Sequence, residues 1–166
     1  MKLLGCILVG LGCGYLGILK VLLLKQKAHF VGEVAGSLER LQREIYEKQM
    51  PIPIIFLGLS KLKNTEIAGF YRHCLVEIKK QEGRSLHEIW EEGLPLFFER
   101  ELAEELAPLG TVLGMYQKES QKSAILAVIG HLNDKKSAME GDNRRLGQVY
   151  PTLGVSMGIF ILILLL

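Results

Sequence analysis

The chain has 166 residues, of which 49% are hydrophobic and 23% charged, and its formal net charge is +2. This length accommodates about one domain. The near balance of 20 basic and 18 acidic residues leaves no basic stripe of the kind that binds nucleic acid. Three cysteines, Cys6, Cys13 and Cys74, form no disulfide framework, and no cysteine or histidine spacing indicates a metal site.

The N-terminal stretch predicts a transmembrane helix over residues 1–24. Residues 3–24 carry a single charge, Lys20, near one end. At about 1.5 Å per residue this run reaches about 33 Å, which is enough for the hydrocarbon core of a bilayer. A cleaved signal peptide is the first alternative, but no small-residue cleavage site follows the apolar run. A lipoprotein anchor at Cys13 is another, although it leaves a short apolar core before the cysteine.

The middle of the chain, residues 25–145, shows helical spacing and no lasting strand-like alternation. The first amphipathic helix has apolar residues three or four apart: Val31, Val34, Leu38, Leu41 and Ile45. The segment "MPIPI" ends it, because the residue before a proline avoids helix. A short apolar piece follows at 54–62.

Further helices are predicted along this middle region. One spans 65–81 and exits near Gly83, and its expected buried face comprises Ile67, Phe70, Tyr71, Cys74, Leu75 and Ile78. The sequence "SLHE" from Ser85 is a capping box that opens the next helix, which Pro95 is expected to end. Helices at 96–106, after Pro108 and from Ser120 complete the set, and "EGDN" at 140–143 is expected to interrupt the last.

The overall prediction is an all-α protein: a compact cytoplasmic bundle of about six helices in residues 25–145, flanked by two transmembrane helices. The second transmembrane helix is placed at 146–166. Its 21 residues reach about 31 Å, and Pro151 falls in the first turns, where a kink costs least. The alternative is a buried C-terminal helix in a soluble core. That alternative is disfavoured because the run has no polar face.

Basic residues near the apolar ends predict the orientation. They lie on the middle-region side of both segments: Lys20, Lys25, Lys27, Arg144 and Arg145. The middle region should therefore be cytoplasmic and both termini should reach the far face, although Lys2 weakly opposes this.

Small residues recur at helical spacing in both apolar segments. Gly10 and Gly14 form one G-x-x-x-G pair, and Gly154 and Gly158 form another. Such pairs allow close packing of membrane helices. They are also common in membrane helices by chance, so both interpretations stay open.

No catalytic, cofactor-binding or metal-binding pattern emerges from the remaining residues. The segment from His87 lacks the second histidine of a zinc-binding H-E-x-x-H, and there is no phosphate-binding glycine loop. His73 and Cys74 are neighbours on a helix and therefore do not face each other. The acidic run "FERELAEEL" is either a solvated helix face or a docking patch for a basic partner surface. Its acidic residues are Glu99, Glu101, Glu104 and Glu105.

The layout and three motifs resemble the stage III sporulation protein AB family. "LERLQREIYEKQMPIPIIF" resembles its first helix, with a Glu-Ile pair and a Pro-x-Pro turn. "LGTVLGMYQKESQ" resembles its leucine-glycine signature, and "VYPTLGVSMGIFILILLL" its closing membrane helix. The matching positions are Glu44, Ile45, Pro51, Pro53, Leu109, Gly110, Leu113, Gly114 and Gln121. The chain departs from the family at Ile54-Ile55 and at Tyr116-Gln117, where polar contacts of the family are not expected.

The resemblance implies a role. The family belongs to a secretion-like assembly between mother cell and forespore, and its helical domain is similar to the cytoplasmic domains of type II secretion F platform proteins. It implies a non-enzymatic multi-pass platform in the cell membrane, with its main domain on the mother-cell side. The expected partners are the membrane, the secretion-type ATPase of the same operon and other membrane subunits, with no nucleic acid, cofactor or small-molecule substrate.

Two rival functions remain. A small membrane-anchored enzyme would need convergent polar residues in a pocket around His73, His87 or His131. A membrane-anchored adaptor or regulator unrelated to secretion is the other alternative.

Overall fold

The computed structural model describes the backbone of residues 2–80, 83–113 and 118–165, and the side chains of residues 19, 21–80, 83–113 and 121–145. This part of the chain contains helices and no strand, so the all-α prediction is confirmed. The six helices are α1 (Lys2–Tyr46), α2 (Ile52–Leu59), α3 (Thr65–Lys79), α4 (Leu86–Phe97), α5 (Arg100–Leu113) and α6 (Lys118–Leu165).

Two of the helices are far longer than the sequence pattern suggested. Helix α1 runs for 45 residues and ends at Tyr46, just before the predicted proline stop. Helix α6 runs for 48 residues, so the predicted interruption at 140–143 is wrong. A single glycine such as Gly141 costs a helix only about 1 kcal/mol. Asn143 is buried on this stretch, so packing holds the backbone in helix.

Membrane spans were predicted at 1–24 and 146–166. Among the residues whose side chains are placed, no helix is both long enough and apolar enough to cross a bilayer. Most of the two predicted spans, including all four glycines of the G-x-x-x-G pairs, lies outside those residues. The spans and the domain boundaries at residues 24 and 145 therefore stay predictions.

The chain divides into two compact units. One unit combines Met1–Val31 with Asp134–Leu166, and within it Ala28, Val31 and Asn143 are buried. The other unit, Gly32–Asn133, contains the end of α1, helices α2 to α5 and the start of α6. In this second unit α2 packs on α3, α3 on α4 and α4 on α5, and Phe56 of α2 also contacts Trp90 of α4.

Helix α3 confirms the predicted buried face. Asn64 caps its first turn by accepting hydrogen bonds from the amides of Glu66 and Ile67. Five of the six predicted core positions are buried, and Ile78 is half-buried. The helix ends at Lys79, two residues earlier than predicted, and Gly83 adopts a left-handed φ of 72° in the connection.

The capping box that opens α4 is present as predicted. The Ser85 hydroxyl accepts from the Glu88 amide at 3.2 Å, and the Glu88 carboxylate accepts from the Ser85 amide at 3.1 Å. Pro95 does not end the helix at once, because α4 continues to Phe97. The predicted helix start at Leu96 is therefore wrong, and α5 begins at Arg100.

Pro108 lies inside α5, so the prediction that it opens a new helix is also wrong. Proline removes one helical hydrogen bond, here to the Glu104 carbonyl. Pro108 and Glu104 are both exposed, so solvent can satisfy that carbonyl. The opposite face of α5 is a continuous buried stripe: Leu102, Leu106, Leu109 and Leu113. The packing of these leucines keeps the backbone helical on both sides of the proline.

Aromatic rings fill the centre of the second unit. Trp90 is fully buried, and its ring lies 4.8 Å from Phe70 and 6.3 Å from Phe56, centroid to centroid. Its Nε1 donates a hydrogen bond to the Leu106 carbonyl at 3.0 Å, which joins α4 to α5. Tyr71 packs against Phe56 at 5.4 Å. The surrounding surfaces are thus held by a rigid core.

Candidate docking surface

The acidic residues singled out in the sequence cluster around the start of α5. The Glu99 carbonyl accepts the first helical hydrogen bond of α5 from Ala103, at 2.9 Å. Glu99 and Glu101 therefore flank the positive end of the helix dipole, and both are exposed. Their position gives them a stabilising role in the helix and leaves their carboxylates accessible to a partner.

Glu104 and Glu105 each lie beside a basic side chain of α5 or α6. Glu104 pairs with Arg100 at 2.8 Å, with both side chains largely exposed, so the pair contributes little stability. Glu105 is only 19% exposed and lies 3.7 Å from Nδ1 of His131 on α6. Glu105 is therefore largely covered, whereas Glu99, Glu101 and Glu104 are exposed to an outside surface.

A groove between α4 and α5 lies on another side of α5. It has a volume of about 490 Å³ and a mostly apolar lining. Glu91 and Glu104 contribute carboxylates to its rim, and Arg100 contributes a cation. The remaining lining residues are Leu94, Pro95, Phe98, Ala103 and Ala107.

Helix α2 carries an apolar outer surface that the sequence reading did not single out as functional. Its inner face is fully buried through Ile55, Phe56 and Leu59. On its outer face Ile54 is 49% exposed and Leu57 is 45% exposed. The signal was available in the sequence, because "IPIIFLGL" has no polar residue to face solvent.

The histidines and Cys74 lie in unrelated surroundings. Cys74 is buried, and burial raises the pKa of its thiol to about 12, which keeps it protonated at neutral pH. His73 lies against Phe97, with ring centroids 6.1 Å apart, and its Nε2 has no hydrogen-bond partner among the described residues. The ring of His87 contacts the hydroxyl of Thr111. No cluster of three potential metal ligands occurs in the described part of the chain.

The leucine-glycine motif has a structural explanation. A Cβ added at Gly110 would lie 2.9 Å from Cδ1 of Trp90, so only glycine lets α5 approach the indole this closely. Leu109 and Leu113 are buried beside it, and Gln121 is buried on α6. Gly114 lies outside the described residues.

Comparison with known proteins identifies the family. A solved structure of stage III sporulation protein AB (SpoIIIAB) aligns with a TM-score of 0.63 over 69% of this chain and 94% of its own, at 18% sequence identity. At that identity the likeness concerns the fold. No curated protein sequence matches the chain. The family model for stage III sporulation protein AB matches residues 2–166, which confirms the resemblance noted from the motifs. The chain therefore belongs to the stage III sporulation protein AB family of sporulation proteins.

Proposed function

We propose that this chain is a non-enzymatic membrane platform in a secretion-like channel between mother cell and forespore. The observation that carries the proposal is the family match over residues 2–166, together with apolar segments at both ends of a charged helical region. In this role two membrane helices hold the helical bundle at the mother-cell side of the membrane. The bundle then offers a fixed surface to cytoplasmic partners.

The topology of this platform is the first thing to test. Reporter fusions at residue 1 and after residue 166 should both report the far side of the membrane, because Lys25, Lys27, Arg144 and Arg145 favour a cytoplasmic middle region. A fusion at the exposed, helix-free Gln49 should report the cytoplasm. A cytoplasmic signal from the fusion after residue 166 would refute the hairpin.

The partner we propose is the secretion-type ATPase of the same sporulation operon, and the docking point is Glu99 with Glu101. Both carboxylates are exposed at the start of a helix whose far side is locked into the core by its leucines. A pair of exposed acidic groups on a well-packed helix start suits a basic surface on the ATPase, since complementary charge steers association and fixes register.

A charge-reversal experiment tests the docking point. Glu99→Lys with Glu101→Lys should abolish co-purification of the full-length chain with the ATPase. The matched control is Glu39→Lys with Glu47→Lys, which reverses one exposed acidic residue within α1 and one just after it, and it should leave binding intact. Equal binding by both variants would exclude this docking point, and loss in both would point to net charge alone.

A further inference from the structure

The outer face of α2 is an apolar surface on a helix that is otherwise well packed. Ile54 and Leu57 are three positions apart and share that face, and Lys61 follows in the turn after the end of α2 at Leu59. Lys61 is exposed and has no ionic partner among the described residues. Pro53, also exposed, flanks Leu57 on the same side. An aliphatic ridge that ends in a lysine is therefore presented to solvent.

The groove between α4 and α5 has the opposite character. Leu94, Phe98 and Ala107 give it an apolar lining. At its rim Arg100 pairs with Glu104, and the carboxylate of Glu91 leaves the rim with one net negative charge. The side chains of Glu91 and Glu104 are 52% and 67% exposed, so they can reach a cation that approaches from outside. The groove can therefore accept an aliphatic ridge and pair with its lysine.

These two surfaces lie on different helices of the same unit. The ridge belongs to α2 and the groove to α4 and α5, and the ridge residues Ile54 and Leu57 are exposed, so the ridge does not fill the groove of its own molecule. The ridge and the groove of one molecule are both open at once. Their complementarity can be used only between molecules.

We propose that the α2 ridge of one copy docks into the α4–α5 groove of a second copy. Ile54 and Leu57 bury their exposed halves in the groove, and Lys61 meets Glu91, the rim carboxylate that does not pair with Arg100. The contact joins two different patches, so it is heterologous and repeats from copy to copy as an open chain or a closed ring. Each contact is small, so association should be weak in dilute solution and sensitive to salt.

Photo-crosslinking tests the location of the contact. The full-length chain carrying a photo-reactive phenylalanine analogue at Leu57 is mixed with an isotope-labelled unmodified copy and irradiated, and crosslinked peptides are mapped by mass spectrometry. We expect crosslinks from Leu57 to Pro95–Ala107 of the labelled copy. The matched control places the analogue at Val76, which is 47% exposed on α3, and should give no crosslink to that region. Crosslinks elsewhere, or none, would overturn the proposal.

Charge exchange tests the chemistry of the contact. Lys61→Glu should lower the crosslink yield from Leu57 about fivefold, as should Glu91→Lys with Glu104→Lys, because each replaces attraction with repulsion. A mixture of the two variants should recover the yield, because the charges are then complementary again between copies. Circular dichroism melts confirm that each variant folds. Yields indifferent to charge, or crosslinking of Leu57 to a different protein in the native membrane, would mean that a second copy is not the occupant.

Discussion

The hydroxyl of Tyr71 donates a hydrogen bond to the Oγ of Ser37 across the interface of α1 and α3, at 3.0 Å. The direction of this bond follows from proton counting, because the single Ser37 proton is already donated to the Val34 carbonyl at 2.7 Å. Both side chains are buried. The pair is therefore asymmetric: among the described residues Ser37 is the one hydrogen-bond partner of the Tyr71 hydroxyl, whereas Ser37 also bonds to the Val34 carbonyl.

This asymmetry makes a prediction about stability. Ser37→Ala leaves the Tyr71 hydroxyl buried without a hydrogen-bond partner and should lower the free energy of unfolding by about 1–3 kcal/mol. Tyr71→Phe removes the hydroxyl itself, so no buried donor is left unpaired, and the loss should be smaller. Chemical denaturation of the full-length variants measures both values. The double variant should be more stable than Ser37→Ala alone. An equal cost for the two single variants would contradict the assigned direction.

The contact between Gly110 and Trp90 predicts that adding a methyl group at residue 110 destabilises the fold. A Cβ at residue 110 would lie 2.9 Å from Cδ1 and 3.1 Å from Cβ of the buried Trp90. Gly110→Ala should therefore destabilise the fold by about 1–3 kcal/mol through overpacking. Gly130→Ala on α6 is the control, because nothing lies within 4 Å of its Cβ position. It should instead stabilise by up to about 1 kcal/mol, and a loss there would contradict this explanation.

The capping box at the start of α4 should contribute measurable stability. Ser85→Ala removes the acceptor for the Glu88 amide and should lower the free energy of unfolding by about 1 kcal/mol. Ser85→Asp keeps an acceptor at the same place and should stay close to the wild-type value. Thermal denaturation followed by circular dichroism compares the two. Equal losses in both variants would show that the cap is not responsible.

Asn143 is a buried polar side chain that should lower the stability of the fold. It is 6% exposed, and its Oδ1 has no hydrogen-bond partner among the described residues. Asn143→Leu should raise the stability of the full-length chain by about 1–3 kcal/mol, since an unsatisfied buried acceptor is replaced by an apolar group of similar size. Asp142→Leu, at an exposed neighbouring position, should give no such gain. A loss of stability in Asn143→Leu would imply that the amide has a partner.

The buried thiol of Cys74 predicts both slow labelling and a pH dependence. Its pKa of about 12 lies above the value of about 8.5 for a free thiol, because burial disfavours the thiolate. Between these pH values the unfolded chain loses the proton and the folded chain keeps it, so stability should fall as pH rises above about 8.5. Cys74→Ala should flatten this alkaline decline. Alkylation at pH 8, quantified on the peptide that contains Cys74, should require unfolding.

Local rules predicted much of the bundle. The buried face of α3 was predictable from apolar residues at helical spacing. The start of α4 was predictable from a four-residue capping pattern, whose side chains bond to backbone amides within the same four residues. The end of α1 was equally visible, because two prolines follow within seven residues of Tyr46. In each case the deciding interaction lies within one or two helical turns.

The predictions from sequence were wrong where packing opposed a local signal. Pro108 is an unfavourable helix residue, yet the buried leucine stripe of α5 continues past it because the core on that face is already formed. The acidic segment shows the same limit at the surface. Glu105 lies beside His131, 26 positions later in the chain, and no spacing rule connects them. The exposed face of α2 was not predicted, because a short run without polar residues does not indicate which side faces solvent.

The centre of the aromatic cluster has an optical consequence. Trp90 is the chain's single tryptophan, and it is fully buried among Phe56, Phe70 and Tyr71. All indole fluorescence therefore originates from one position, where α4 meets α3 and α5. The chain carries an intrinsic emission probe at this junction, and loosening of the junction can be followed without any added label.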